Sequence, residues 1–150
     1  MPAVPQSLDS VARDVLTRGL AAIGLLGIAL IHILDAIPTF PELPYKGWMY
    51  TALIVSAVVV AGMLVRRPSR LVWAAAGSLV LGAILAFVYS RTVGLPGAAD
   101  DIGNWAEPLG VASLFVEGAV LAVAGYALGA TAPVRAAADE RSPRSAPQPA

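Results

Sequence analysis

Four uninterrupted apolar stretches constrain this chain more than any other feature. They run over residues 19–37, 47–65, 71–89 and 109–130, each 19 to 22 residues long, and together fill more than half of the 150 residues. At about 1.5 Å rise per residue, a helix of that length covers the roughly 30 Å hydrocarbon layer of a bilayer. The runs show no period-two alternation, which argues against membrane strands. Inside lipid, backbone N–H and C=O groups have no water to bond, and a helix satisfies its own. The expected fold class is therefore all-α, a four-transmembrane-helix bundle, with membrane lipids as its surroundings. A mean hydropathy of +0.73 agrees.

Prolines mark the expected boundaries. Pro38 follows the first stretch and lacks an N–H for a helical ladder, and Pro41 and Pro44 are expected to keep the next residues extended. Pro68 sits in the turn after the second stretch, Pro96 breaks the chain after the third, and Pro108 falls at the first turn of the fourth, where its missing N–H does no harm. Residues 1–18 form an N-terminal segment. Leu8, Val11 and Val15 recur there at helical spacing among Asp9, Arg13 and Asp14, which predicts a short interfacial helix leading into the first span. The segment does not read as a cleavable signal peptide, because the apolar run after it is of spanning length and no small-residue cleavage site follows. Residues 131–150 are rich in Ala, Pro, Ser and charge, the composition of a disordered tail.

Basic residues orient the spans. Eight of the ten lie on one side: Arg13 and Arg18 before the first span, Arg66, Arg67 and Arg70 between the second and third, and Arg135, Arg141 and Arg144 in the tail. Only Lys46 and Arg91 fall on the other. Both termini are thus expected in the cytoplasm of a bacterial cell, with the chain multi-pass in its plasma membrane. Most aromatics and five carboxylates, Asp35, Glu42, Asp100, Asp101 and Glu107, gather toward the outer side.

Composition excludes several classes. The chain has no cysteine, one histidine and a formal charge of zero. That rules out a disulfide scaffold, thiolate metal sites and thiol redox chemistry. Without a basic surplus, nucleic acid is not an expected partner. A single histidine cannot provide bis-His haem ligation in one chain, and no other cofactor is implied. There is no Lys-bearing phosphate loop, no nucleophile elbow and no Ser–His–Asp set in a sensible context.

Three ionisable residues lie within the spans: His32, Asp35 and Glu117. Such groups cost on the order of 2.5–3.5 kcal/mol at mid-membrane and require a partner or a wet cavity. By helical rise, Asp35 lies about 3 Å, His32 about 8 Å and Glu117 about 12 Å inside the outer boundary. His32 and Asp35 share one face of the first helix, and Ser113 and Glu117 share one face of the fourth. The expectation is that His32 and Glu117 face each other with Asp35 above. Either they form a satisfied polar cluster that fixes helix register, or they relay protons or hold a divalent metal. A second cluster is expected in the outer loop, where Asp100, Asp101, Asn104 and Glu107 are either hard-cation ligands by type or, with Arg91, part of an ordered lid in which Arg91 pairs with Asp101 or Glu107. Gly125 and Gly129 form a GxxxG pair, which serves either packing within the bundle or contact with a second copy.

The run Ser90-Arg-Thr-Val-Gly-Leu-Pro96, then Trp105-Ala-Glu-Pro-Leu-Gly110, then Glu117 resembles a group of small uncharacterised bacterial four-helix membrane proteins with an SRT-x-GLP segment. The resemblance covers about residues 71–120. It implies the same architecture and a role for the Arg91–Glu117 segment, and carries no activity. The sequence reads as a non-enzymatic binding or accessory bundle with an ordered acidic outer loop. The alternatives are a proton or divalent-metal carrier using His32, Asp35 and Glu117, or a membrane enzyme acting on a lipid or quinone at the outer interface.

Overall fold

In the computed structural model, which describes residues 8–130, four helices follow one another: α1 (Leu8–Glu42), α2 (Pro44–Arg66), α3 (Arg70–Thr92) and α4 (Pro108–Ala130). All four are long and apolar enough to cross a membrane. Each packs against its neighbour in sequence, and α1 closes the ring against α4. The expectation of a disordered tail at 131–150 lies outside the described residues.

Two expectations for α1 are corrected. No separate interfacial helix precedes the first span, because α1 is a single helix of 35 residues. Nothing between Val15 and Gly19 breaks a helix. Intrahelical pairs bridge the join instead: Thr17 Oγ1 donates to the Arg13 carbonyl at 2.7 Å, and Arg18 pairs with Asp14 one turn away. Nor does α1 stop at Pro38; it continues through Pro38 and Pro41 to Glu42. Both prolines are exposed, so the lost hydrogen bonds lie on the outside of the helix, which continues past them. Thr39 Oγ1 donates back to the Asp35 carbonyl at 2.7 Å, and the Leu43 N–H reaches the Thr39 carbonyl at 2.8 Å.

The other boundaries have local causes. Pro44 opens α2 at a position where no N–H is needed. Ser69 caps α3 by accepting from the Val72 N–H at 3.3 Å. Glu107 caps α4, accepting from the N–H groups of Leu109 at 3.0 Å and Gly110 at 2.5 Å. At the end of α3, Gly94 takes φ +88, which lets its N–H turn back to the Tyr89 carbonyl at 3.1 Å. The loop then folds through a short 3-10 turn, Ala99–Asp101. The Gly103 N–H bonds the Arg91 carbonyl at 2.9 Å and ties the loop to the helix it left.

The bundle is unevenly filled. The half nearer the chain termini holds a core in which alanines (Ala21, Ala57, Ala61, Ala76, Ala124) let the backbones approach around Leu25, Leu64, Val80 and Val120. Large apolar side chains such as Ile23, Leu30, Val59, Leu71, Leu85 and Phe115 point outward. That pattern is inverted for a chain in water and ordinary for one in lipid. The half nearer the 93–107 loop is hollow.

Candidate functional site

The hollow half is a cavity of about 410 Å³ bounded by all four helices and the loop. It falls in the size range of small-molecule pockets. Its walls are apolar, with Leu53, Leu79 and Phe87 prominent, and its polar groups form two layers.

The deeper layer contains every member of the first expected cluster. His32, Asp35, Ser113 and Glu117 all line the one cavity. Glu117 is only 2% exposed, and its Oε1 accepts from Ser113 Oγ at 2.8 Å, the one-turn spacing seen in the sequence. His32 is held from its own helix: Nδ1 lies 2.9 Å from the Ile28 carbonyl. A carbonyl oxygen only accepts, so Nδ1 carries the hydrogen and Nε2 of the neutral ring is a lone pair. Tyr50 of α2 stands edge-on to the imidazole, with ring centroids 5.3 Å apart, and its hydroxyl is directed at the Asp35 carboxylate. His32 and Glu117 share a cavity and an electrostatic field, while each takes its hydrogen bond from its own helix. Among the described residues, no three His, Asp or Glu side chains gather as a set able to hold a metal ion.

The upper layer is an ion-pair network at the loop end. Asp101 joins two helices: Lys46 Nζ of α2 lies 2.7 Å from its Oδ2, and Arg91 Nη1 of α3 lies 2.5 Å from its Oδ1. Arg91 Nη2 is 3.9 Å from Glu107 Oε2. Burial pushes the Asp101 carboxyl up, but the Lys46 hydrogen bond and the Arg91 charge outweigh it and hold the group below its usual range. The Arg91 guanidinium is 7% exposed and lies 4.8 Å from the centroid of the Phe87 ring, a cation–π contact. Its Nε and Nη1 are buried without a hydrogen-bond acceptor among the described residues, so the contact with Asp101 is an ion pair more than a directed hydrogen bond. Of the expected loop cluster, Arg91, Asp101 and Glu107 come together, whereas Asp100 and Asn104 are exposed and stand apart from the cavity lining.

Sequence reasoning missed Tyr50, Phe87 and the bridging role of Lys46, which reads in sequence as an interface anchor. It also missed Gly110. A Cβ there would collide with the Phe87 ring and lie 2.8 Å from Glu107 Oε2, so the absent side chain lets α4 start against α3. Gly125 and Gly129, by contrast, face open space. No family model, no curated protein and no solved structure matches the chain.

Proposed function

We propose that this chain is a membrane binding protein that takes an amphipathic small molecule into the cavity between its helices, without catalysing a reaction. One observation carries the reading: His32, Asp35 and Glu117, the ionisable residues within the spans, all line one cavity between the helices. A 410 Å³ space left empty between lipid-embedded helices forfeits dispersion contacts around its whole lining, and a ligand with an apolar body and a polar head restores them. The loop end faces outward and the termini lie in the cytoplasm, as the distribution of arginines favours. The natural absence of cysteine makes this easy to check. A single cysteine placed at the exposed Asp100 should react with an impermeant maleimide in intact cells; labelling only after permeabilisation refutes the orientation.

The binding reading is tested with a compact probe, 1-adamantanol, titrated into protein-loaded and empty lipid nanodiscs. Saturable one-to-one uptake is expected for the protein and none for lipid alone. Ala83→Phe, which places a ring in the cavity, should abolish uptake while leaving the melting temperature close to that of the parent. Uptake that is identical with and without protein overturns the reading. A second reading, a proton carrier, draws on the convergence of His32, Asp35 and Glu117 on this one space. It requires proton flux into protein-loaded liposomes above that of empty ones, and loss of the flux in Glu117→Gln.

A further inference from the structure

The hydrogen-bond inventory of the cavity narrows the ligand class, taking the binding reading as its premise. The donors that face inward are already engaged. Ser113 gives its hydroxyl hydrogen to Glu117 at 2.8 Å, Ser90 gives its own to the Phe87 carbonyl at 2.8 Å, and the His32 Nδ1 hydrogen is held by Ile28 at 2.9 Å. The Tyr50 hydroxyl is directed at Asp35. The two fixed cations, Lys46 and Arg91, are bound into the Asp101 network. Arg91 Nε and Nη1 are buried, and Nη2 lies 3.9 Å from Glu107.

Below the mouth, what is presented to the space is acceptor capacity, the carboxylates of Asp35 and Glu117. Lys46 and Arg91 pair with Asp101 and Glu107 at the mouth; Lys46 also acts on Asp35, whereas no fixed positive charge is set against Glu117 below them. A buried carboxylate needs either a proton or a cationic partner. Ser56 and Ser78 also line the space, and a hydroxyl serves in either sense, so they do not reverse the balance.

The route in is visible too. The α2–α3 interface is the smallest of the four, and the cavity lining along it consists of small residues, among them Ala52, Ser56, Gly82 and Ala86. All but the half-buried Ser56 are exposed. These small residues leave the least side-chain bulk along that interface for a molecule dissolved in the bilayer.

We infer that the cavity selects a lipophilic protonated amine, which enters from the membrane between α2 and α3. Its ammonium is received by Glu117 and Asp35, and its apolar body lies against Leu53, Leu79 and Phe87. A neutral head of the same size forgoes the charge-assisted bonds, and an anionic head meets two carboxylates.

Three probes with one body separate the outcomes: 1-adamantanamine, 1-adamantanol and 1-adamantanecarboxylate, titrated at pH 7 into protein-loaded nanodiscs of a zwitterionic lipid, with empty nanodiscs subtracted. The amine is expected to bind at least about ten-fold more tightly than the alcohol, the difference one charge-assisted hydrogen bond makes over a neutral one, and the carboxylate more weakly than both. Glu117→Gln should bring amine and alcohol to within about two-fold of each other. If that variant does not fold, Asp35→Asn on the neighbouring α1 should still lower the amine-to-alcohol ratio at least about three-fold. Equal binding of amine and alcohol, or a preference for the carboxylate, overturns the inference and leaves the cavity reading standing. Failure of all three probes to bind overturns the cavity reading itself.

Discussion

Replacing Asp101 by Asn removes the one carboxylate that joins α2 to α3 at the loop end. Lys46 and Asp101 are each 16% exposed and Arg91 7%, so the network lies far from the solvated regime in which ion pairs contribute about 0–1 kcal/mol. Breaking a buried pair by removing one partner costs about 3–5 kcal/mol, because the other charge is left uncompensated. Glu107, 3.9 Å from Arg91, retains part of the compensation, and the asparagine amide oxygen can still accept from Lys46. The expected loss is about 2–3 kcal/mol, or roughly 5–10 °C in melting temperature for a chain of this size. The assay is thermal unfolding in detergent, with proteolysis of the 93–107 loop followed in parallel. Acid gives an independent signature. The folded Asp101 carboxyl is held below its ordinary value of 3.8, so the stability it supplies is fully present above about pH 4 and is lost as pH falls through the lower folded value. The parent chain should lose loop protection in that window, while Asp101→Asn, already without the charge, should show no transition of its own there. A variant that melts within 1 °C of the parent, or an acid profile identical in both, refutes the assignment of Asp101 as the tie between the helices.

Three further variants probe other parts of the structure. Gly110→Ala drives a methyl into the Phe87 ring and the Glu107 cap and should destabilise the bundle by about 1–3 kcal/mol, read as a lower melting temperature. Tyr45→Phe removes a 2.6 Å hydrogen bond to the Pro96 carbonyl; a cost of about 1 kcal/mol should appear as faster proteolysis at the loop with little change in the melting of the helices. Gly125→Ala combined with Gly129→Ala adds methyls that meet nothing within 4 Å, so the monomer's melting temperature should stay within about 1 °C of the parent. A drop confined to higher protein concentrations would instead show that this face packs on a second copy.

The helices were legible because a membrane span is written in consecutive residues: length and hydropathy place α2, α3 and α4 to within a few positions. The ends of α1 were not, and for a local reason. A proline terminates a helix when its ring and missing N–H disturb a packed face; at Pro38 and Pro41 the disturbed face is exposed, and sequence does not say which way a proline will point. The deep polar layer was half legible. Ser113 and Glu117 share a helix face by spacing alone, as do His32 and Asp35, and three carboxylates or imidazoles scarce enough to count invite the expectation that they meet. Tyr50 escaped notice because its partner, Asp35, lies on another helix, and no spacing rule crosses from α1 to α2. Lys46 escaped for the same reason in a stronger form, since its carboxylate lies 55 positions away.

That long-range pairing bears on why a cavity persists at all. Helices in lipid gain nothing from burial against water, so a gap between them closes wherever side-chain shape permits. In the half near the termini it does permit, and alanines bring the backbones together around Leu25 and Leu64. At the loop end the helices are held at fixed separation by groups that cannot collapse onto one another. Glu107 spans the start of α4 and the Arg91 guanidinium, Arg91 lies over Phe87, and Asp101 bridges Lys46 to Arg91. Each tie is polar, buried or partly buried, and satisfied only at the present spacing, so closing the space would cost ion pairs to gain dispersion contacts. The 93–107 loop thus props open the space that Asp35 and Glu117 line. It follows that Asp101→Asn should weaken ligand uptake as well as stability, though Asp101 lies in the mouth network and not in the deep layer that distinguishes amine from alcohol. Affinity for both probes should fall together with their ratio preserved, whereas loss of Glu117 should lower the ratio.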